Sequence, residues 1–163
     1  MALSLQPGVA EAIRAHGVET YPNECCGALI GRDGVVTHTL ALPNVTDEGP
    51  RRRFRVSDRD YLQCEKRARE LGGELLGFYH SHPDHPAAPS AFDLEHAWPN
   101  FSYVIASVRG GRFAEMRSWR LRADRSAFDE ERLETSSGTL TADSAILGDP
   151  IGDFPVTRLP DSR

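Results

Sequence analysis

A chain of 163 residues with a net charge of −5, 39% hydrophobic and 26% charged, is long enough for one domain with a buried core. No apolar run approaches the roughly 18 residues of a membrane span, and Met1 to Pro7 lacks the basic and apolar regions of a signal peptide. Lys and Arg form no stripe, and Arg51-Arg52-Arg53 is short, so neither nucleic acid nor a membrane is expected as a partner. Three cysteines, Cys25, Cys26 and Cys64, an odd number, argue against a disulfide framework and read as reduced thiols of a cytoplasmic protein.

Val9 to His16 carries helical spacing, with Val9, Ala10 and Ile13 on one side. Cys25 to Ile30 is an apolar strand, Asp33-Gly34 a hairpin turn, and Val35 to Leu42 the returning strand. Thr46 to Pro50 is a polar loop. Phe54 and Val56 alternate with Arg53 and Arg55 as a half-buried short strand would. Ser57 caps a helix running to about Leu71, which Gly72-Gly73 ends. Leu75 to Tyr79 is a buried strand leading into His80. A short helix follows from Ser90 to about Ala97, and Phe101 to Val108 and Phe113 to Leu121 form a hairpin around Gly110-Gly111. The order is mixed α/β, with a largely antiparallel sheet flanked by helices. The domain is expected over 1–133. Residues 134–163 are dominated by Ser, Thr, Asp, Gly and Pro and read as a loosely held tail, the alternative being a docking segment anchored by Ile151, Phe154 and Val156.

The chemistry concentrates in His80-Ser81-His82-Pro83 and Ser90-Ala91-Phe92-Asp93. Side chains two apart on a strand share a face, so His80 and His82 point together. Ser90-x-x-Asp93 reads as a capping box, and a helix starting there holds Asp93 rigidly near the strand end. Pro83, Pro86 and Pro89 stiffen the connection. Two imidazoles and one carboxylate with a fourth position open are the ligand set of a catalytic zinc. His85 has no spacing partner and reads as a surface residue. Cys25 and Cys26 lack the second Cys pair that a structural zinc would need and read as small buried residues, Cys26 near enough to Glu24 to border a pocket.

With the upstream segment Tyr21-Pro22-Asn23-Glu24-Cys25-Cys26-Gly27-Ala28-Leu29-Ile30-Gly31, this pattern resembles the JAMM (MPN-plus) metallopeptidases over roughly residues 6 to 133. The resemblance implies an MPN, cytidine-deaminase-like fold and one zinc per chain held by His80, His82 and Asp93. It implies Glu24 as general acid/base and Ser90 as oxyanion stabiliser; Ser81 matches the motif without so clear a role.

Single-domain prokaryotic members of that family process β-grasp sulfur-carrier proteins. The resemblance therefore implies hydrolysis of an amide after the Gly-Gly C-terminus of a ubiquitin-like carrier. The chain departs from the chain-selective eukaryotic deubiquitinases of the family, since the short stretch Leu94 to Asn100 leaves no room for their second insertion. An extended tail can add to a sheet edge, and Asn44 to Val56 is the candidate groove, with Asn44, Phe54, Val56 and Ser81 as its residues. Two alternatives stay open: a zinc hydrolase of a small amide, and a non-catalytic MPN interaction module. The oligomeric state is not fixed, and a homodimer is compatible with the sequence.

Overall fold

The computed structural model describes residues 2–44 and 56–135. The order is β1 (Ala2–Leu5), α1 (Val9–Thr20), β2 (Cys26–Arg32), β3 (Val35–Leu42), α2 (Asp58–Glu70), β4 (Glu74–Pro83), α3 (Ala91–His96), β5 (Ser102–Arg109), β6 (Arg112–Leu121) and β7 (Phe128–Thr135). The strands close in the order β1-β3-β2-β4-β5-β6-β7. Pairing is antiparallel for β2 with β3 and β4, β5 with β6, and β6 with β7, and parallel where β1 meets β3 and β7 and where β4 meets β5. The mixed α/β expectation holds. Among the described residues no helix is long and apolar enough to cross a membrane.

Alternation along the strands sends side chains to two cores. Cys26, Ala28, Ile30 and Phe78 pack with Cys64 and Ala68 of α2. Cys25, Leu29, Tyr79 and Val104 pack with Val9 and Ile13 of α1. Asp33 (φ 53) and Gly34 (φ 74) are both left-handed, as a two-residue hairpin of the favoured hand requires. Ser57 caps α2 as expected, its Oγ accepting from Asp60 N at 3.1 Å.

Helix α1 runs to Thr20, four residues beyond the expected end at His16. Gly17 does not break it; it lets the helix approach β4 and β5, since a Cβ there would lie 3.2 Å from Val108 Cγ2. Strands β1 and β7 carried no clear sequence signal. β1 has only four residues, and β7 is rich in acidic residues, one of which, Glu131, is buried against Ser118 Oγ at 2.7 Å. The expected loop at 46–50 and Arg53, Phe54 and Arg55 lie outside the described residues. Val56 is irregular backbone against the α2-side core rather than strand. Strand β7 runs through Thr135, and residues 136–163 lie outside the described residues.

Gly77 pairs with Ser102 in the central β4–β5 ladder, and a Cβ on it would overlap the Ser102 carbonyl oxygen. Neither backbone can yield without breaking the ladder. Gly77→Ala is expected to cost about 1–3 kcal/mol, read as a lower denaturant midpoint at unchanged slope.

Candidate metal centre

Strand β4 carries His80 and His82 on the side of Phe78, and the crossover from β4 to β5 carries Asp93 on α3. His80 is 1%, His82 5% and Asp93 7% exposed. The two Nε2 atoms are 3.1 Å apart, and Asp93 Oδ2 lies 3.3 Å from that of His80 and 3.1 Å from that of His82. The Ser90 cap places the carboxylate. Ser90 Oγ accepts from Asp93 N at 3.1 Å, and Ser90 N donates to Asp93 Oδ2 at 2.8 Å. Capping box and ligand placement are thus one set of hydrogen bonds.

The donor set fits a single cation. His82 Nδ1 is 2.8 Å from the Pro86 carbonyl oxygen, which only accepts, so the proton sits on Nδ1 and the Nε2 lone pair faces the centre. Asp93 Oδ2 offers negative charge to the same point. Ligands about 2.0–2.2 Å from a tetrahedral zinc lie about 3.3–3.6 Å from one another. The three observed separations are close to that triangle.

The electrostatics favour a bound cation at His80 and Asp93, and not at His82. Burial pulls His80 below the usual imidazole range despite Asp93, favouring the neutral form a metal needs. Burial also pulls His82 down, but Asp93, the Pro86 carbonyl and Glu24 outweigh it and leave His82 raised. Burial pushes Asp93 up, and its charge and hydrogen-bond interactions with His80 and His82 reverse this, holding it well below the carboxylate range.

Glu24 enters from the segment before β2. It is 5% exposed, and its Oε1 is 3.9 Å from His82 Nε2: beside the triad, not part of it. Asn44 Nδ2 donates to the Glu24 carbonyl oxygen at 3.2 Å, so Asn44 braces the segment that carries Glu24. Ser81 lies on the opposite face, fully buried, with Oγ accepting from Cys25 N at 2.9 Å. Its expected place in the substrate groove is therefore corrected. Odd and even residues of a strand face apart, and Ser81 ties β4 to the Glu24 segment instead. Val56 lines a hollow of about 550 Å³ floored by Phe78, Trp98 and Tyr103 and reaching His80 and Asp93. Phe54 is outside the described residues.

Cys26 is fully buried in the α2-side core and does not line that hollow. Burial pushes Cys25 up to about 11, Cys64 to about 12 and Cys26 upward too, so these thiols stay protonated and unsuited to metal. His85 is exposed, as expected. Sequence reasoning missed the side chains that hold the loop between His82 and Ser90: Tyr21, Ser107, Glu115 and Trp119. They are scattered in the chain and match no motif.

A curved mixed sheet with this buried His-His-Asp cluster defines a candidate metallohydrolase. Residues 6–122 match the family described as prokaryotic homologs of the JAB domain, and the chain belongs to that family. It is 36% identical over 115 residues to a desampylase of Haloferax volcanii, covering 66% of this chain and 82% of that one. It is 34% identical over 112 residues to a probable TtuB-protein conjugate cleaving protease of Thermus thermophilus, covering 69% and 74%. The solution structure of protein DSY2949 from Desulfitobacterium hafniense is similar, with a TM-score of 0.71, 34% identity and coverage of 83% of this chain and 93% of that one.

Proposed function

We propose that this chain is a zinc-dependent peptidase or isopeptidase that hydrolyses the amide after the C-terminal Gly-Gly of a ubiquitin-like, β-grasp sulfur-carrier protein. The observation that carries the reading is the convergence of His80 Nε2, His82 Nε2 and Asp93 Oδ2 with a buried Glu24 carboxylate beside them. A module that only binds has no use for that set. The relatives' names, a desampylase and a conjugate-cleaving protease, support the substrate class. The buried free thiols suit a reducing, cytoplasmic setting.

His80, His82 and Asp93 would hold the zinc, one per chain. When bound, zinc supplies Lewis acidity, bringing the pKa of water toward about 7 and polarising a carbonyl. Glu24 takes the proton of the attacking water and delivers it to the leaving nitrogen. The Ser90 hydroxyl, its oxygen already accepting from Asp93 N, keeps its hydrogen to donate to the carbonyl oxygen as that becomes negative. The carrier tail arrives extended past Asn44 and Val56, where main-chain hydrogen bonds can hold it. Paired glycines let that backbone pass close to the centre.

The test offers zinc-loaded protein a Gly-Gly-terminated carrier fused through its last glycine to a reporter, beside a short peptide amide. The expected result is a cut after the second glycine, with kcat/KM for the fusion at least about tenfold above that for the peptide, since only the tail contacts separate them. Hydrolysis of the small amide with the fusion untouched would put a small-molecule substrate in the carrier's place.

A further inference from the structure

We propose that Glu115 and Trp119, on β6, are positioning residues for metal binding that act on His82 through the loop beyond it. The inference rests on the metal reading of His80, His82 and Asp93.

Four consecutive loop residues are held by hydrogen bonds. Asp84 N donates to the Val108 carbonyl at 2.7 Å, and the Asp84 carboxylate accepts from Gly110 N at 2.8 Å and from Tyr21 Oη at 2.7 Å. The His85 carbonyl accepts from Ser107 Oγ at 2.6 Å. The Pro86 carbonyl receives His82 Nδ1 at 2.8 Å. Ala87 is held at both ends: its N–H donates to Glu115 Oε1 at 3.2 Å, and its carbonyl accepts from Trp119 Nε1 at 2.9 Å.

The link to the metal centre is the peptide bond between Pro86 and Ala87. Its C=O and N–H belong to one rigid plane. Glu115 holds the N–H, so Glu115 fixes the direction of the carbonyl that His82 needs. Trp119 fixes the next plane along. The Pro86 carbonyl keeps the His82 proton on Nδ1 and the ring aimed with its Nε2 lone pair inward. If that plane is free to turn, His82 can take the other tautomer, whose Nε2–H points at the cation's place. The metal then has to reorder the ring as it binds. Tyr21, Asp84 and Ser107 anchor the start of the loop and leave the Pro86–Ala87 plane to β6.

The test is the zinc dissociation constant of the full chain, measured by competition with a chelator, beside the melting temperature of the metal-free protein. Glu115→Ala and Trp119→Phe are expected to weaken zinc binding about 10–100-fold, the range for loss of a group that orients a ligand. Glu115→Gln keeps an acceptor oxygen and is expected to stay within about threefold of wild type, since the plane is still held. Arg117 pairs with the other Glu115 oxygen at 3.3 Å. Arg117→Ala is therefore expected to leave zinc affinity unchanged; metal-free, Arg117→Ala and Glu115→Gln are expected to melt as wild type does, and Glu115→Ala to melt only slightly lower, for the one buried Ala87 N–H it leaves without its acceptor. Wild-type affinity in Glu115→Ala would overturn the inference. So would equal losses in Glu115→Gln and Glu115→Ala, or a loss matched by a collapse of metal-free stability. Should Trp119→Phe not fold, the Glu115 pair decides alone. A wild-type chain that binds no zinc would instead overturn the metal reading, and this inference with it.

Discussion

Asp93→Ala is expected to empty the metal centre and abolish hydrolysis while leaving a folded protein. Asp93 is the only carboxylate in the triad and the only ligand whose charge offsets the cation. Two neutral imidazoles alone leave a divalent ion underbound in a buried site, where uncompensated charge is costly. Ligand loss should exceed the effect of losing a group that merely orients a ligand, so zinc affinity is expected to fall by more than about a hundredfold. The substitution also removes a cap partner, because Asp93 Oδ2 accepts from Ser90 N at 2.8 Å. That loss is expected to cost about 1 kcal/mol and to appear in the metal-free melting temperature. Asp93→Asn separates the two roles. Its side-chain oxygen can still accept from Ser90 N, so the cap survives, but the negative charge is gone. Metal analysis after dialysis should find both variants depleted, with the alanine variant, which also loses the cap, the less stable of the two metal-free. A stoichiometric zinc in Asp93→Ala would exclude the carboxylate as a ligand.

This dual use of Asp93 explains why the site was legible in the sequence. Ser90-x-x-Asp93 reads as a helix start on local grounds, and the strand spacing of His80 and His82 reads as one face on local grounds. Each is short-range, and the crossover from β4 to β5 brings them together. The Asp33-Gly34 turn and the Ser57 cap were readable for the same reason. What was not readable depends on pairing across the chain. Strand β1 has four residues and exists because β3 and β7 flank it. Strand β7 hides its pattern behind Glu131, whose burial needs Ser118 from the neighbouring strand. Ser81 matched a motif whose spacing says nothing about which side of β4 faces the metal. Only the pairing of Ser81 with Cys25 reveals that it acts on the other face. Glu115 and Trp119 touch the loop after His82 from β6 and could not be linked to it from the sequence.

Glu24→Gln is expected to keep the zinc and the fold and to lose at least about a hundredfold in kcat, the contribution typical of a positioned general acid/base. Glutamine has nearly the same shape, so the packing of a 5% exposed side chain is preserved. Glu24 Oε1 lies 3.9 Å from His82 Nε2 and outside the His80, His82 and Asp93 triangle, so no ligand is removed. The amide cannot take the water proton or return it to the leaving nitrogen, which confines the loss to the chemical step. KM should then hold while kcat falls, since substrate contacts are untouched. The variant also separates Glu24 from Asn44, which grips the Glu24 carbonyl and not its carboxylate. Asn44→Ala leaves the Glu24 carboxylate in place but loosens the segment carrying it, so its loss of kcat should be smaller than that of Glu24→Gln. Zinc content measured on the same samples completes the test. Full activity in zinc-replete Glu24→Gln would remove Glu24 from the proton path, and loss of zinc in that variant would make it a ligand instead.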